Sequence, residues 1–192
     1  NAFRSTLGLS QISRIFKDWI HSPELTIGMF PEWFAKPQPG WPMGIRLTDF
    51  PLYDQAEQPL NSDVIDFLDA GDPPVVFVSG TATSTESAFF IESVRGCAAA
   101  GLRGLVLTRF PDQLPDLPRS IRHFNSIPFS QLLPRCAAIV HHGGVGTLSQ
   151  ALKTGAPQIV RPYGFDKFDN AARLVRLGVA REVSVKAYAS DN

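Results

Sequence analysis

The chain has 192 residues, 44% hydrophobic and 19% charged, which suits one compact α/β domain with an appendage and excludes a disordered polymer. Eighteen Lys and Arg balance eighteen Asp and Glu, so no global field directs it to nucleic acid or to an anionic membrane. Any anion must therefore be held locally.

Only Cys97 and Cys136 occur, both in apolar surroundings. That points to reduced, buried thiols in a cytoplasmic protein rather than to a disulfide scaffold. No apolar run approaches the roughly 18 residues of a membrane span. The chain starts with Asn and no signal segment follows, so an excised fragment is expected.

In chain order, Leu9, Ile12, Ile15, Phe16, Trp19 and Ile20 fall on one helical face, and Pro23 would stop that helix. The opposite face is not rich in lysine, so packing against protein is expected rather than lying on a membrane. Thr26 to Phe30 is strand-like. The aromatic and proline-rich run from Phe30 to Pro42 looks like an extended connector between two lobes, with Trp33 and Trp41 needing cover.

From residue 61 the pattern is regular. Asn61 or Ser62 caps a helix through Leu68, and Val75 to Val78 is an apolar strand. A helix over Thr85 to Ala100 precedes a second strand, Gly104 to Thr108. Ile121 to Phe124 is a third strand, Phe129 to Leu133 a helical turn, and Ala137 to Val140 a fourth strand. After a glycine turn come a helix ending at Thr154, a fifth strand, Gln158 to Arg161, and a helix over Phe168 to Leu177.

Apolar strands alternating with helices predict a Rossmann-like α/β fold, a parallel sheet with helices on both faces. Ligands in such sheets bind at the carboxyl ends of strands, so the loops at 79–84, 125–129, 141–147 and 162–167 should share one rim.

The most informative segment is His141-His142-Gly143-Gly144-Val145-Gly146-Thr147, between strand and helix. A helix start offers unpaired amides and a partial positive charge, and glycines let an anion come close. His142 adds a donor beside the same oxygens. A metal is not expected: adjacent histidines at a strand end rarely meet one ion, and no third ligand is apparent. His21 and His123 read as structural. Arg173 and Arg176 read as a solvated helix face, and Asp166, Asp169 or Asn170 as helix caps.

Together with Ala151-Leu152-Lys153-Thr154-Gly155-Ala156-Pro157, the run Pro162 to Ala171, and Leu177-Gly178-Val179, this segment resembles the donor-binding signature of family 1 glycosyltransferases. These are nucleotide-diphospho-sugar-dependent enzymes with two Rossmann-like lobes, the GT-B fold. The likeness covers roughly Asp72 to Ala180, is nearest to bacterial sterol, macrolide and rhamnose transferases, and includes Pro128 to Leu133.

The resemblance implies roles by position. His142 would contact the donor diphosphate and stabilise the leaving group, while the amides of Gly143, Gly144, Val145, Gly146 and Thr147 cradle it. Gly80 and Thr81 would lie near the phosphates, Ile127 and Phe129 beside the base, and Gln150 near the ribose. Asp166 would bind sugar hydroxyls; Lys167 stands where the family has glutamine, and could meet a sugar carboxylate or only Asp166, or mark a changed donor or lost activity.

The resemblance further implies that residues 1–45 are the tail of an N-terminal lobe plus connector, and 46–192 a donor-binding domain truncated at its C-terminus. The expected activity is metal-independent, inverting hexosyl transfer from a UDP- or dTDP-sugar to an acceptor hydroxyl, with no cofactor. The acceptor, a small molecule or lipid, would bind mainly to the absent lobe, which also carries the general base. The chain alone would therefore bind donor and transfer little. Alternatives are a non-catalytic donor-binding subunit of a two-chain transferase, with Trp19, Trp33 and Trp41 at its interface, or a nucleotide-sugar epimerase. A dinucleotide dehydrogenase fits worst, because the glycine turn does not follow the first strand.

Overall fold

The computed structural model describes residues 1–54, 59–80 and 85–189. It divides into two compact units, Asn1–Pro51 and Leu52–Asn192.

In the first unit, α1 is a short helix, Ala2–Thr6, and Ile15–Trp19 forms a single π-helical turn. The amphipathic helix expected through Ile20 is therefore not formed. Phe16 is 86% exposed and Trp19 54%, so among the described residues the apolar stripe is left uncovered, and short helices without packing are marginal. Two short parallel strands follow, β1 (Ile27–Gly28) and β2 (Arg46–Leu47). Between them the connector is folded rather than extended. Phe34 is buried and meets Phe50 edge-on at 5.1 Å, and Trp41 is half-buried against Phe30 at 5.9 Å.

The second unit is the α/β body. Its elements are α2 (Ser62–Asp69), β3 (Val75–Val78), α3 (Ser87–Ala99), β4 (Gly104–Leu107), β5 (Ile121–Phe124) and α4 (Phe129–Leu132). They continue with β6 (Ala138–His141), α5 (Val145–Thr154), β7 (Gln158–Val160), α6 (Lys167–Arg176), β8 (Ala180–Glu182) and α7 (Val185–Tyr188). The Asn61 side chain caps α2 by accepting the Asp63 amide, as its position predicts.

Strands β3 to β8 form one fully parallel sheet in the order β5-β4-β3-β6-β7-β8. Successive side chains on a strand point to opposite faces, and this alternation builds two cores. Val76, Val78, Leu105, Leu107 and Ile139 meet α2, α4 and α5 through Val64, Leu132 and Ala151. Phe77, Val106 and Val140 face the other way, against Phe89, Phe90 and Val94 of α3. Each such side chain contributes about 1.5–3 kcal/mol by leaving water, so both sheet faces are held by helices.

The chain runs outward from β3 in one direction through β4 and β5, then returns to start again at β6 on the other side. Neighbouring strands β3 and β6 thus diverge at a topological switch, and a crevice opens at their carboxyl ends. Ser79–Gly80 and His142–Gly144 leave the sheet there.

Candidate functional site

His141 and His142, adjacent in sequence, do different work. His141 is fully buried; its Nδ1 accepts the Gly143 amide at 3.1 Å, and its Nε2 lies 3.0 Å from Oε1 of Gln158. An acceptor at Nδ1 requires the proton on Nε2, which then donates to Gln158. Burial lowers its pKa to about 4, so the ring is neutral and structural.

The turn is fixed from a second side. Gly143 has φ +88, and an added Cβ would lie 3.1 Å from both the Lys167 carbonyl and a Val160 methyl. Nδ2 of Asn170, buried on α6, donates to the Gly143 carbonyl and to Oδ2 of Asp166, each at 2.9 Å. Asp166 precedes α6 but makes no capping hydrogen bond; its carboxylate is instead held by Asn170.

The ring of His142 fills the space that two glycines leave. A Cβ on Gly80 would stand 3.1 Å from its Nε2, and one on Gly144 only 2.4 Å from it. Nε2 is therefore the atom at the start of α5. Nδ1 is buried with no hydrogen-bond partner among the described residues. A buried N–H without an acceptor is costly, which favours the tautomer with the proton on Nε2. Burial, reinforced by the charge of Lys167 and opposed by Asp166, lowers this pKa to about 4. His142 is a neutral donor.

Helix α5 starts at Gly144 without a side-chain cap. The amides of Thr147 and Leu148 bond back to the Gly144 carbonyl, and that of Gly143 is held by His141. Of the amides expected to form a cradle from Gly143 to Thr147, those of Gly144, Val145 and Gly146 have no hydrogen-bond partner among the described residues.

Beside this start lies a cleft of about 320 Å³, walled by Val78, Leu107, Ile127 and Phe129, with Asn125, Arg109 and Gly80 at its polar side. Ile127 and Phe129, expected beside a base, both line this cleft. Thr81 lies outside the described residues, as does the rest of its loop through Ser84. Two wall residues, Tyr53 and Asp54, carry no motif. Asp54 accepts the Ser130 amide at 2.7 Å and its hydroxyl at 3.2 Å, and the Tyr53 carbonyl accepts Nε2 of Gln150 at 3.3 Å. Gln150 is 3% exposed, so its amide group is committed to this wall, leaving Oε1 buried and without a partner among the described residues.

On the other side, Tyr163 donates to the Ser79 carbonyl at 3.1 Å, and its ring centre is 6.0 Å from that of His142. Nζ of Lys167 stands 4.5 Å above that Tyr163 ring and 5.3 Å from Phe165. No ion pair joins it to Asp166 among the described residues.

Two further groups support this wall. Arg161 pairs with Glu86 at 2.9 Å, both nearly buried, and lies over Phe89 and Tyr188. Arg173 corrects the expectation of a solvated face: it is buried and pairs with Asp169 at 2.7 Å, while Arg176 is exposed. A Glu before a helix and an Arg ending a strand carry no pairing signal, which is why the first pair was missed. His123 is held by the Thr108 carbonyl at 2.8 Å, and His21 is half-buried in the first unit. Cys97 is buried and Cys136 half-buried, both free thiols. Among the described residues no cluster suited to a metal ion occurs, and no helix is long and apolar enough to cross a membrane.

The family description "Erythromycin biosynthesis protein CIII-like, C-terminal domain" matches residues 105–192. The O-mycaminosyltylonolide 6-deoxyallosyltransferase of Streptomyces fradiae is 34% identical over 151 residues, 78% of this chain and 35% of that protein. The vancomycin aglycone glucosyltransferase of Amycolatopsis orientalis is 35% identical over 124 residues, 64% and 30% respectively. The chain thus spans about a third of these curated relatives.

Among solved structures, the glycotransferase of kitacinnamycin superposes with TM-score 0.72 at 21% identity, covering 96% of this chain and 48% of that one. The glycosyltransferase VinC, solved in complex with dTDP, gives 0.65 at 26% identity, covering 85% and 40%. The parallel sheet with helices on both faces is the fold of GT-B C-terminal domains. Sequence, topology and the glycine turn agree: residues 105–192 match the erythromycin biosynthesis protein CIII-like C-terminal domain, and the chain is similar to the C-terminal domains of family 1 glycosyltransferases.

Proposed function

We propose that this chain grips the diphosphate of a UDP- or dTDP-linked sugar and stabilises it as the leaving group of glycosyl transfer. One observation carries the reading. Nε2 of His142 is wedged between Gly80 and Gly144 at the start of α5, beside three uncommitted amides and an apolar cleft of nucleoside size. VinC with bound dTDP, at 26% identity, supports a nucleoside diphosphate as ligand.

The chemistry follows from charge. As the bond from the anomeric carbon to the phosphate oxygen breaks, negative charge grows on the departing diphosphate. Fixed donors aimed at that charge lower the barrier without reorganising, and each is worth about 3 kcal/mol. The amides of Gly144, Val145 and Gly146, with His142 Nε2–H, supply such donors without a metal. Attack by the acceptor hydroxyl from the opposite face inverts the anomeric centre. Acceptor choice and its deprotonation belong to the whole transferase, of whose curated relatives this chain spans about a third.

Calorimetric titration with UDP and dTDP tests the proposal. The chain should bind at least one, and His142→Ala should bind it about tenfold or more weakly while its melting stays cooperative. Equal affinity in the variant refutes a diphosphate contact by His142.

A further inference from the structure

The site's formal charge is the observation that carries furthest. A nucleoside diphosphate brings at least two negative charges, yet His142 is neutral and helix α5 offers only partial charge. Of the other cations near the site, the exposed Arg109 lines the apolar cleft, whereas two are committed. Arg161 is paired with Glu86, and Arg173 with Asp169. Lys167 is different. It has no carboxylate partner among the described residues, and Asp166 is engaged by Asn170.

Its setting is unfavourable for folding alone. Lys167 is the first residue of α6, where the helix dipole disfavours a cation by about 0.3–1 kcal/mol. It is half-buried, with Nζ held at 4.5 Å over Tyr163 and 5.3 Å from Phe165. Aromatic faces attract an ammonium but accept none of its three N–H groups in ordinary hydrogen bonds. Tyr163 is also the ring beside His142, and the Lys167 backbone packs on Gly143. The ammonium is near enough to His142 to act on that ring's charge, and among the described residues its donors are unspent.

Resting on the donor reading above, we infer that Lys167 is a ligand-contacting residue, the cation that pairs with the donor's diphosphate and holds its growing charge during departure. Tyr163 and Phe165 are the platform that aims it. A charge-assisted hydrogen bond here would replace the countercharge that other sites draw from a divalent ion.

The test uses Lys167→Met and Lys167→Arg, with dTDP, UDP, thymidine, UDP-glucose and UDP-glucuronate as probes at several salt concentrations. Lys167→Met should bind dTDP and UDP about tenfold or more weakly and with a flatter salt dependence, while thymidine binding is unchanged. UDP-glucose and UDP-glucuronate should fall by the same factor, and Lys167→Arg should retain most of the affinity. Loss confined to UDP-glucuronate would move the contact to a sugar carboxylate and overturn the inference. So would equal loss for thymidine, which would mark Lys167 as structural. Wild-type protein that binds no nucleotide defeats the donor reading itself; wild-type binding with an unimpaired Lys167→Met defeats only this inference.

Discussion

Nδ1 of His141 receives the backbone amide of Gly143 at 3.1 Å, so the strand's last side chain sets the first step of the turn that follows it. Replacing His141 by Leu would remove that acceptor and strand two buried groups, the Gly143 N–H and the Gln158 side chain. An unsatisfied buried donor costs about 1–3 kcal/mol. We expect His141→Leu to lower unfolding stability by about 2–4 kcal/mol, measured by urea denaturation. Gln158→Leu should lose less, because the Gly143 contact survives. Equal stability of His141→Leu and wild type would show that the turn does not depend on this bond.

The two histidines also make stability depend on pH. Both native pKa values are lowered to about 4, against an ordinary value of 6.5. Between these values the unfolded chain binds protons that the native chain refuses, so stability is full above 6.5 and falls as pH drops toward 4. Each ring contributes a slope approaching about 1.4 kcal/mol per pH unit where it is native-neutral and unfolded-charged. Half-burial of His142 discounts its share. Urea midpoints at pH 7, 6 and 5 should decline in step, and His142→Gln should decline more gently. A pH-independent midpoint across this range would contradict neutral buried rings.

Much of the body was legible from residue pattern. The apolar strands Val75–Val78, Gly104–Leu107 and Ala138–His141 lie within a residue of expectation because both sheet faces bury them, leaving no polar alternation to confuse the reading. Strand β8 was missed because Ala180-Arg181-Glu182, on the sheet edge, has no apolar run to announce it. The helix expected before Pro23 failed for the opposite reason. Its spacing described a face that a helix could bury, but spacing cannot supply a surface to receive it.

At the site, the glycine turn between strand and helix was legible in the sequence, and Ile127 and Phe129, singled out there, line the cleft. The ties holding them did not. Asn170 reaching Gly143 and Asp54 reaching Ser130 cross 27 and 76 residues, and only the folded sheet brings such partners together.

The Arg161–Glu86 pair should dominate the stability of the wall behind Tyr163. Both side chains are nearly out of water, 9% and 13% exposed, and Arg161 Nε already lacks a hydrogen-bond partner among the described residues. Removing only the carboxylate would leave a buried guanidinium uncompensated, costing about 3–5 kcal/mol. We expect Glu86→Leu to lose that much, whereas the double variant Glu86→Leu with Arg161→Met should recover a large part. A double variant as unstable as the single one would mean that packing on Phe89 and Tyr188, not charge, is what Arg161 provides.

Gly144 and Gly146 differ by two residues and should respond in opposite ways to alanine. Gly144 has φ −67, which alanine adopts without strain, but its Cβ would stand 2.4 Å from Nε2 of His142. The imidazole must swing away, and the start of α5 also exchanges a tolerated cap residue for a poor one, at about 1 kcal/mol. Gly146 sits inside the helix with nothing within 4 Å of an added Cβ. Alanine there should stabilise the chain by about 0.5–1 kcal/mol through helix propensity. Thermal melts should therefore move apart, downward for Gly144→Ala and upward for Gly146→Ala. Nucleotide titration should separate them as well, since only Gly144→Ala displaces the ring, and its affinity should drop to that of His142→Ala. If Gly144→Ala binds nucleotide like wild type, the ring position does not govern the diphosphate site.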